Sequence, residues 1–171
     1  ALVLGPRDRP LGVALWSDTS EISLRLVDRD PHATLNQDWW DRRIANALAR
    51  RSPLGETGDA KARENAWKHT TAYRLVHAEG DGIPSLVVDR YGDWLVVQLS
   101  SAGLERYRQQ ITDALVRLAS PSGILARNDT PARKREGLDV GTELLYGAVP
   151  EEITVLEGGV RYVAAPWTGQ K

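Results

Sequence analysis

Arg127, Arg133, Lys134 and Arg135 crowd the stretch RNDTPARKREG, and basic side chains at that density suit phosphate chemistry. A guanidinium fork and a lysine point charge both hold phosphate oxygens, and loops carried on a rigid sheet commonly make such contacts. Asp129 and Glu136 lie in the same stretch, so a solvated charged loop that pairs internally is the competing reading. Arg42, Arg43, Arg50 and Arg51 form a second basic group and face the same alternative.

Other chemistry-bearing residues fall short of a site. Asp81, Asp89 and Asp93 do not follow the alternate-position spacing of a calcium loop, and aspartate beside glycine is ordinary turn chemistry. GDGIPS begins like a dinucleotide fingerprint, but Pro84 and the apolar SLVV after it announce a strand where a phosphate cradle needs a helix. His32, His69 and His77 are too scattered for a metal pair. His77 and Glu79 would share a strand face, which is not yet a base and its partner. Ser100–Ser101 lacks a nucleophile elbow. With no cysteine, thiolate catalysis, disulfides and cysteine-ligated zinc are all excluded. That usage fits a cytoplasmic protein.

The elements that must position these residues follow from periodicity. ALVLG, RPLGVALW and SEISLRLV alternate apolar and polar residues between turn signals, which predicts short strands. TLNQDWWDRRIANALARR is a helix with Thr34 and Gln37 as a capping box and Trp40, Ile44, Ala47 and Leu48 on one face. SPLGETGDA, Ser52 to Ala60, is the expected linker and domain boundary. AYRLVHAEG, SLVVD and WLVVQL are strands, the last two joined at RYGD. Leu104, Tyr107, Ile111, Leu115 and Leu118 recur at helical spacing, with Arg108 off the stripe, so Leu115→Asp should prevent folding and Arg108→Asp should be tolerated. GILAR, TELLYG, EITVLE and VRYVAA are further strands, with a hairpin turning at Gly158–Gly159.

The expected fold class is therefore α+β: a small, mostly antiparallel sheet in strand-strand-helix-strand-strand order, preceded by short strands and a helix. A length of 171 residues suits one domain or one with a piece of another, and 42% hydrophobic residues can fill a core. A net charge of -1 makes any basic surface local, and no apolar run is long enough to span a bilayer, so no membrane partner is expected.

TTAYRLVHAEGDGIPSLVVDRYGDWLVVQLSSAG, ILARNDTPARKREGL and VLEGGVRYVAAPWTGQK resemble, in order and spacing, bacterial 23S rRNA 5-methylcytosine methyltransferases of the RlmI type. The likeness runs from about Thr34 to Lys171, and RPLGVALWSDTSEISLRLV is similar to the closing strands of a PUA domain. The resemblance implies PUA-type strands over 1–30, a helix and linker over 31–60, a central α+β domain over 61–150, and a hairpin over 151–171. That hairpin would lead into an S-adenosylmethionine-binding, Rossmann-like domain, with Gln170 and Lys171 at its edge.

That family's reaction needs a thiolate to attack C6 of the base and a Gly-rich turn for the methyl donor; this chain has neither. The resemblance thus implies S-adenosylmethionine and methyltransferase activity for a longer parent, with these residues non-catalytic and helping to position ribosomal RNA. Arg127, Arg133, Lys134 and Arg135 become the expected RNA contacts. Replacing Arg133, Lys134 and Arg135 by Ala should flatten the salt dependence by up to roughly three phosphate equivalents. The alternative is a structural or homodimerisation module without RNA contact of its own.

Overall fold

The computed structural model describes residues 1–51 and 69–169; the expected linker at Ser52 to Ala60, and Gln170 and Lys171, lie outside the described residues. Strands β1 (Leu2–Leu4), β2 (Pro10–Trp16) and β3 (Leu24–Asp28) form a three-stranded antiparallel sheet in that order. Leu15 and Val27 turn inward and are buried, while Trp16, Leu24 and Leu26 stay exposed; the alternation breaks at the register shift between Val13 and Ala14, where Ala14 is buried beside Leu15.

Helix α1 (Gln37–Arg51) follows. Its cap differs from the expected one: Asn36 Oδ1 accepts the Trp39 N–H at 3.0 Å, whereas the Gln37 amide donates to Asp41 and to the Gln110 carbonyl. Both Thr34 and Asn36 are good capping residues, and the tertiary contact of Gln37 decides between them. Trp39, Trp40, Ile44 and Ala47 form the buried face, with Leu48 partly buried beside them.

The described residues hold ten strands. The second sheet has five, β4 (Ala72–His77), β5 (Leu86–Tyr91), β6 (Trp94–Leu99), β7 (Gly123–Arg127) and β8 (Thr142–Gly147), in the order β4-β5-β6-β7-β8. Every pairing is antiparallel except β6 with β7, which is parallel. A parallel pair needs a crossover, and α2 (Ala102–Glu105) and α3 (Arg108–Ala119) supply it. The fold is thus α+β and mostly antiparallel. A hairpin of β9 (Ile153–Glu157) and β10 (Val160–Ala164) turns on Gly158 and Gly159, whose φ values of 58° and 85° are those a two-residue hairpin demands. It is tied to the residues before β4 by Thr71 N–H to the Leu156 carbonyl at 2.8 Å.

The expected single stripe from Leu104 to Leu118 is broken at Arg106–Tyr107, and Leu118 is exposed. Ala114 takes its place: with Ile111 and Leu115 it packs inward on α3, and Tyr107 stacks at 5.1 Å from Trp40. Each large side chain so buried contributes about 1.5–3 kcal/mol. Arg108 also departs from expectation. Its guanidinium pairs with Glu105 and Glu143, each at 2.6 Å, so a carboxylate at this position would face two others. One hydrophobic cluster joins the layers, running from Leu15 and Val27 through α1 and α3 to Leu75, Val88, Val97 and Ile124.

Candidate nucleic-acid interface

The charged stretch after β7 is not all loop. Pro131 begins a short helix, α4 (Pro131–Arg135), where its fixed φ and missing N–H cost nothing. The stretch is anchored beyond the carboxyl ends of the two parallel strands, because Asn128 Oδ1 accepts the Leu99 N–H at 3.0 Å. In open sheets with parallel strands this end is where ligand crevices form.

The four basic residues expected to contact RNA separate into two pairs. Arg127 and Arg133 are 7% and 3% exposed, and each is occupied by the fold. Arg127 pairs with Asp129 at 2.9 Å and donates to the Pro166 carbonyl at 2.6 Å, holding the chain after β10 against the sheet. Arg133 donates to the Leu99 carbonyl, to the Asp139 carbonyl at 2.8 Å and to Glu105 at 2.7 Å. Lys134 and Arg135, by contrast, are exposed and form no ion pair among the described residues. Arg135 borders a groove of about 590 Å³ between the β2–β3 loop and α4, together with hydroxyl-bearing Thr19, Ser20, Ser85 and Ser100. Arg25, Glu21 and Glu79 line it too, so the cation and hydroxyl donors that a phosphate would meet share the wall with carboxylates.

Glu136 sits at the back of this groove, 5% exposed. It accepts from Arg25 at 2.8 Å and from the Ala102 N–H at 3.1 Å. Burial pushes its pKa up, but hydrogen bonds from Ser20, Ser17, the Ala102 N–H and Arg25 outweigh that and hold it below the usual carboxylate range. Glu136 therefore supplies an internal anion that accepts the Ala102 N–H at the start of α2.

The same junction bears on S-adenosylmethionine. The β6-to-α2 turn is the strand-to-helix step of the parallel pair, and it carries Gly103. A Cβ on Gly103 would lie 2.8 Å from the Trp16 backbone N and O, so this glycine serves the packing of α2 on β2. Its N–H donates to Ser17 Oγ at 3.2 Å. These residues do not fit a methyl-donor cradle, whose glycines must admit the ligand to the backbone.

On α1 the second basic group is largely structural. Arg43 donates to the Val27 carbonyl at 2.8 Å and lies 4.9 Å from the Trp39 ring centre, while Arg50 and Arg51 pair with Asp81 at 3.3 and 2.8 Å. Arg42 remains exposed. Asp81 also accepts the His77 N–H at 2.6 Å, and Asp89 pairs with Arg74 across β4 and β5. Among the described residues no three acids or histidines converge on a metal position, and no helix is long and apolar enough to cross a membrane. Sequence reasoning missed the roles of Glu136 and Asp81. Their partners lie far along the chain, so local spacing carried no signal.

No protein-family model matches this chain. It is 37% identical over 164 residues to the ribosomal RNA large subunit methyltransferase I of Shewanella amazonensis, covering 95% of this chain and 39% of that protein. The protein of the same name from Aeromonas hydrophila is 38% identical over 158 residues, which cover 91% of this chain and 37% of the relative. The chain thus spans about two fifths of the length of these relatives. Two solved structures share the fold at 22% identity. One, from Streptococcus mutans and assigned as a SAM-dependent methyltransferase, matches 95% of this chain and 38% of its own with a TM-score of 0.75. The other, assigned as a methyltransferase and complexed with SAH, matches 99% of this chain and 40% of its own with a TM-score of 0.78.

Proposed function

We propose that these residues are a non-catalytic, RNA-positioning part of an S-adenosylmethionine-dependent ribosomal RNA methyltransferase. In this reading methyl transfer to a cytosine C5 belongs to another part of a longer parent protein. The observation that carries it is the division of labour on α4. Arg133 is buried to brace the helix, and Lys134 and Arg135 are left facing solvent, Arg135 beside a hydroxyl-bearing groove. Two exposed cations supply phosphate contacts that position RNA without reading its sequence. The likeness to ribosomal RNA methyltransferases over 95% of the chain supports RNA, rather than another polyanion, as the partner.

The test is binding of a ribosomal RNA fragment across a salt series. Wild-type protein should bind weakly, with little sequence preference. Lys134→Ala with Arg135→Ala should weaken binding and reduce the salt slope by roughly two phosphate equivalents, fewer than all three basic residues of α4 would give. An unchanged slope returns the stretch to solvated charge. The chain alone should transfer no labelled methyl group to ribosomal RNA and give no calorimetric heat with S-adenosylmethionine; stoichiometric cofactor binding would refute the assignment.

One observation favours a second reading, a bracing or dimerisation module. Leu2, Leu4, Leu24 and Leu26 on β1 and β3 are 44–56% exposed, so both outer strands of this sheet present large apolar side chains to solvent. Wild-type protein that binds no RNA but self-associates through this sheet would favour it.

A further inference from the structure

The face of the five-stranded sheet turned away from α1 and α3 holds a cleft of about 860 Å³, walled on one side by the backbone of residues 163–169. Across its floor lies an ion pair of defined geometry. Arg74 Nε and Nη2 meet Asp89 Oδ1 and Oδ2 at 2.9 and 3.2 Å, a two-pronged contact that locks the guanidinium plane. The Arg74 side chain is nonetheless 46% exposed, so a face of that plane is open to the cleft.

Register sets what stands on either side. Asp89 is paired with Val96, Tyr91 with Trp94, and Val87 with Gln98. Tyr91 and Gln98 therefore flank the ion pair, each two residues along its strand, or roughly 7 Å. Their levels along the sheet are thus roughly 14 Å apart, which leaves room for a planar base between the two side chains. Small Ala72 is the neighbour of Tyr91 on β4 and leaves that side of the ring uncrowded. Neither the Tyr91 hydroxyl nor the Gln98 amide has a hydrogen-bond partner among the described residues.

Charge separates this cleft from the α4 groove. Arg74 is matched by Asp89 and Arg127 by Asp129, while Arg90, which also lines the cleft, is held by the Gly92 and Ala119 carbonyls, so a phosphate here would meet guanidinium groups already committed to the fold. A neutral, planar group with donors and acceptors on its edge meets a flat guanidinium, an aromatic ring and a free amide. Bases of unpaired RNA stack on guanidinium planes and aromatic rings and are read along their edges in this way.

We propose that this cleft takes one unpaired RNA base, stacked over the Arg74–Asp89 pair between Tyr91 and Gln98, with the Gln98 amide hydrogen-bonded to its edge. The inference rests on the RNA-positioning role proposed above and adds a preference for unpaired nucleotides that α4 does not provide.

The experiment measures binding of a short single-stranded oligoribonucleotide and of a blunt RNA duplex, by fluorescence anisotropy at several salt concentrations. Arg74→Lys keeps the charge and its partner but removes the plane; Gln98→Leu keeps the volume but removes the amide. Each should lower single-strand affinity about five- to a hundredfold, leaving the salt slope and duplex binding unchanged. Thermal melts check that both variants fold. Should Arg74→Lys and Gln98→Leu bind the single strand as wild type does, the base site is wrong, while a slope still flattened by the Lys134 and Arg135 substitutions leaves the positioning role standing. Wild-type protein that binds neither RNA overturns both.

Discussion

Arg133→Ala tests how the adjacent charges of α4 divide their work. Removing this guanidinium takes the donor from the Leu99 carbonyl, in the buried end of β6, and an unsatisfied buried carbonyl costs about 1–3 kcal/mol. The Asp139 carbonyl loses its donor too, but Asp139 is exposed and water can replace it. Glu105 is 21% exposed and keeps Arg108 at 2.6 Å, so its loss is partial. With the packing of the arginine stem added, the sum is about 3 kcal/mol. For a chain of this size that lowers Tm by about 6–12 °C in a circular-dichroism melt. Lys134→Ala and Arg135→Ala should each stay within about 0.5 kcal/mol of wild type, as exposed substitutions do. RNA binding should give the reverse ranking: measured well below Tm, Arg133→Ala keeps its salt slope while each of the other two lowers it by roughly one phosphate equivalent. An Arg133→Ala protein that melts like wild type, or whose slope falls as far as theirs, would refute the buried-brace argument.

Three more outcomes follow from the packing. Leu115→Asp places a carboxylate at a fully buried position on α3, and the protein should lose its cooperative urea transition; a wild-type melt would contradict the helix placement. Gly103→Ala drives a methyl group against the Trp16 backbone, so stability should drop by about 1–3 kcal/mol, read from the urea midpoint. The acid limb of stability should involve Glu136 and Asp81. For Asp81, burial raises the pKa, but Arg51, the His77 N–H and Arg50 prevail and lower it. A carboxyl held below its unfolded value stabilises fully above the ordinary range and loses that contribution as pH falls through its folded pKa. Urea midpoints should therefore be level near neutrality and fall below about pH 4.5, the ordinary glutamate value, with Glu136→Gln less stable at neutral pH and flatter in acid.

Where the determinants are local, the sequence alone was enough. Apolar alternation marks β2 as a strand, and β-branched runs between turn residues mark β5 and β6, because such side chains suit the extended backbone. The glycine pair at Gly158–Gly159 marks its hairpin, since both turn positions need positive φ. Ile111 and Leu115 identify α3 by spacing. Local pattern could not say that Leu118 would be exposed, or that β6 and β7 would run parallel, because both depend on where the crossover lands. The interface shows this limit most plainly. Arg133, Lys134 and Arg135 are consecutive and chemically alike, and on a helix each points about 100° from the last. Only the tertiary structure, by bringing the Leu99 carbonyl and Glu105 to one side of α4, makes Arg133 a buried brace and leaves its two neighbours facing solvent.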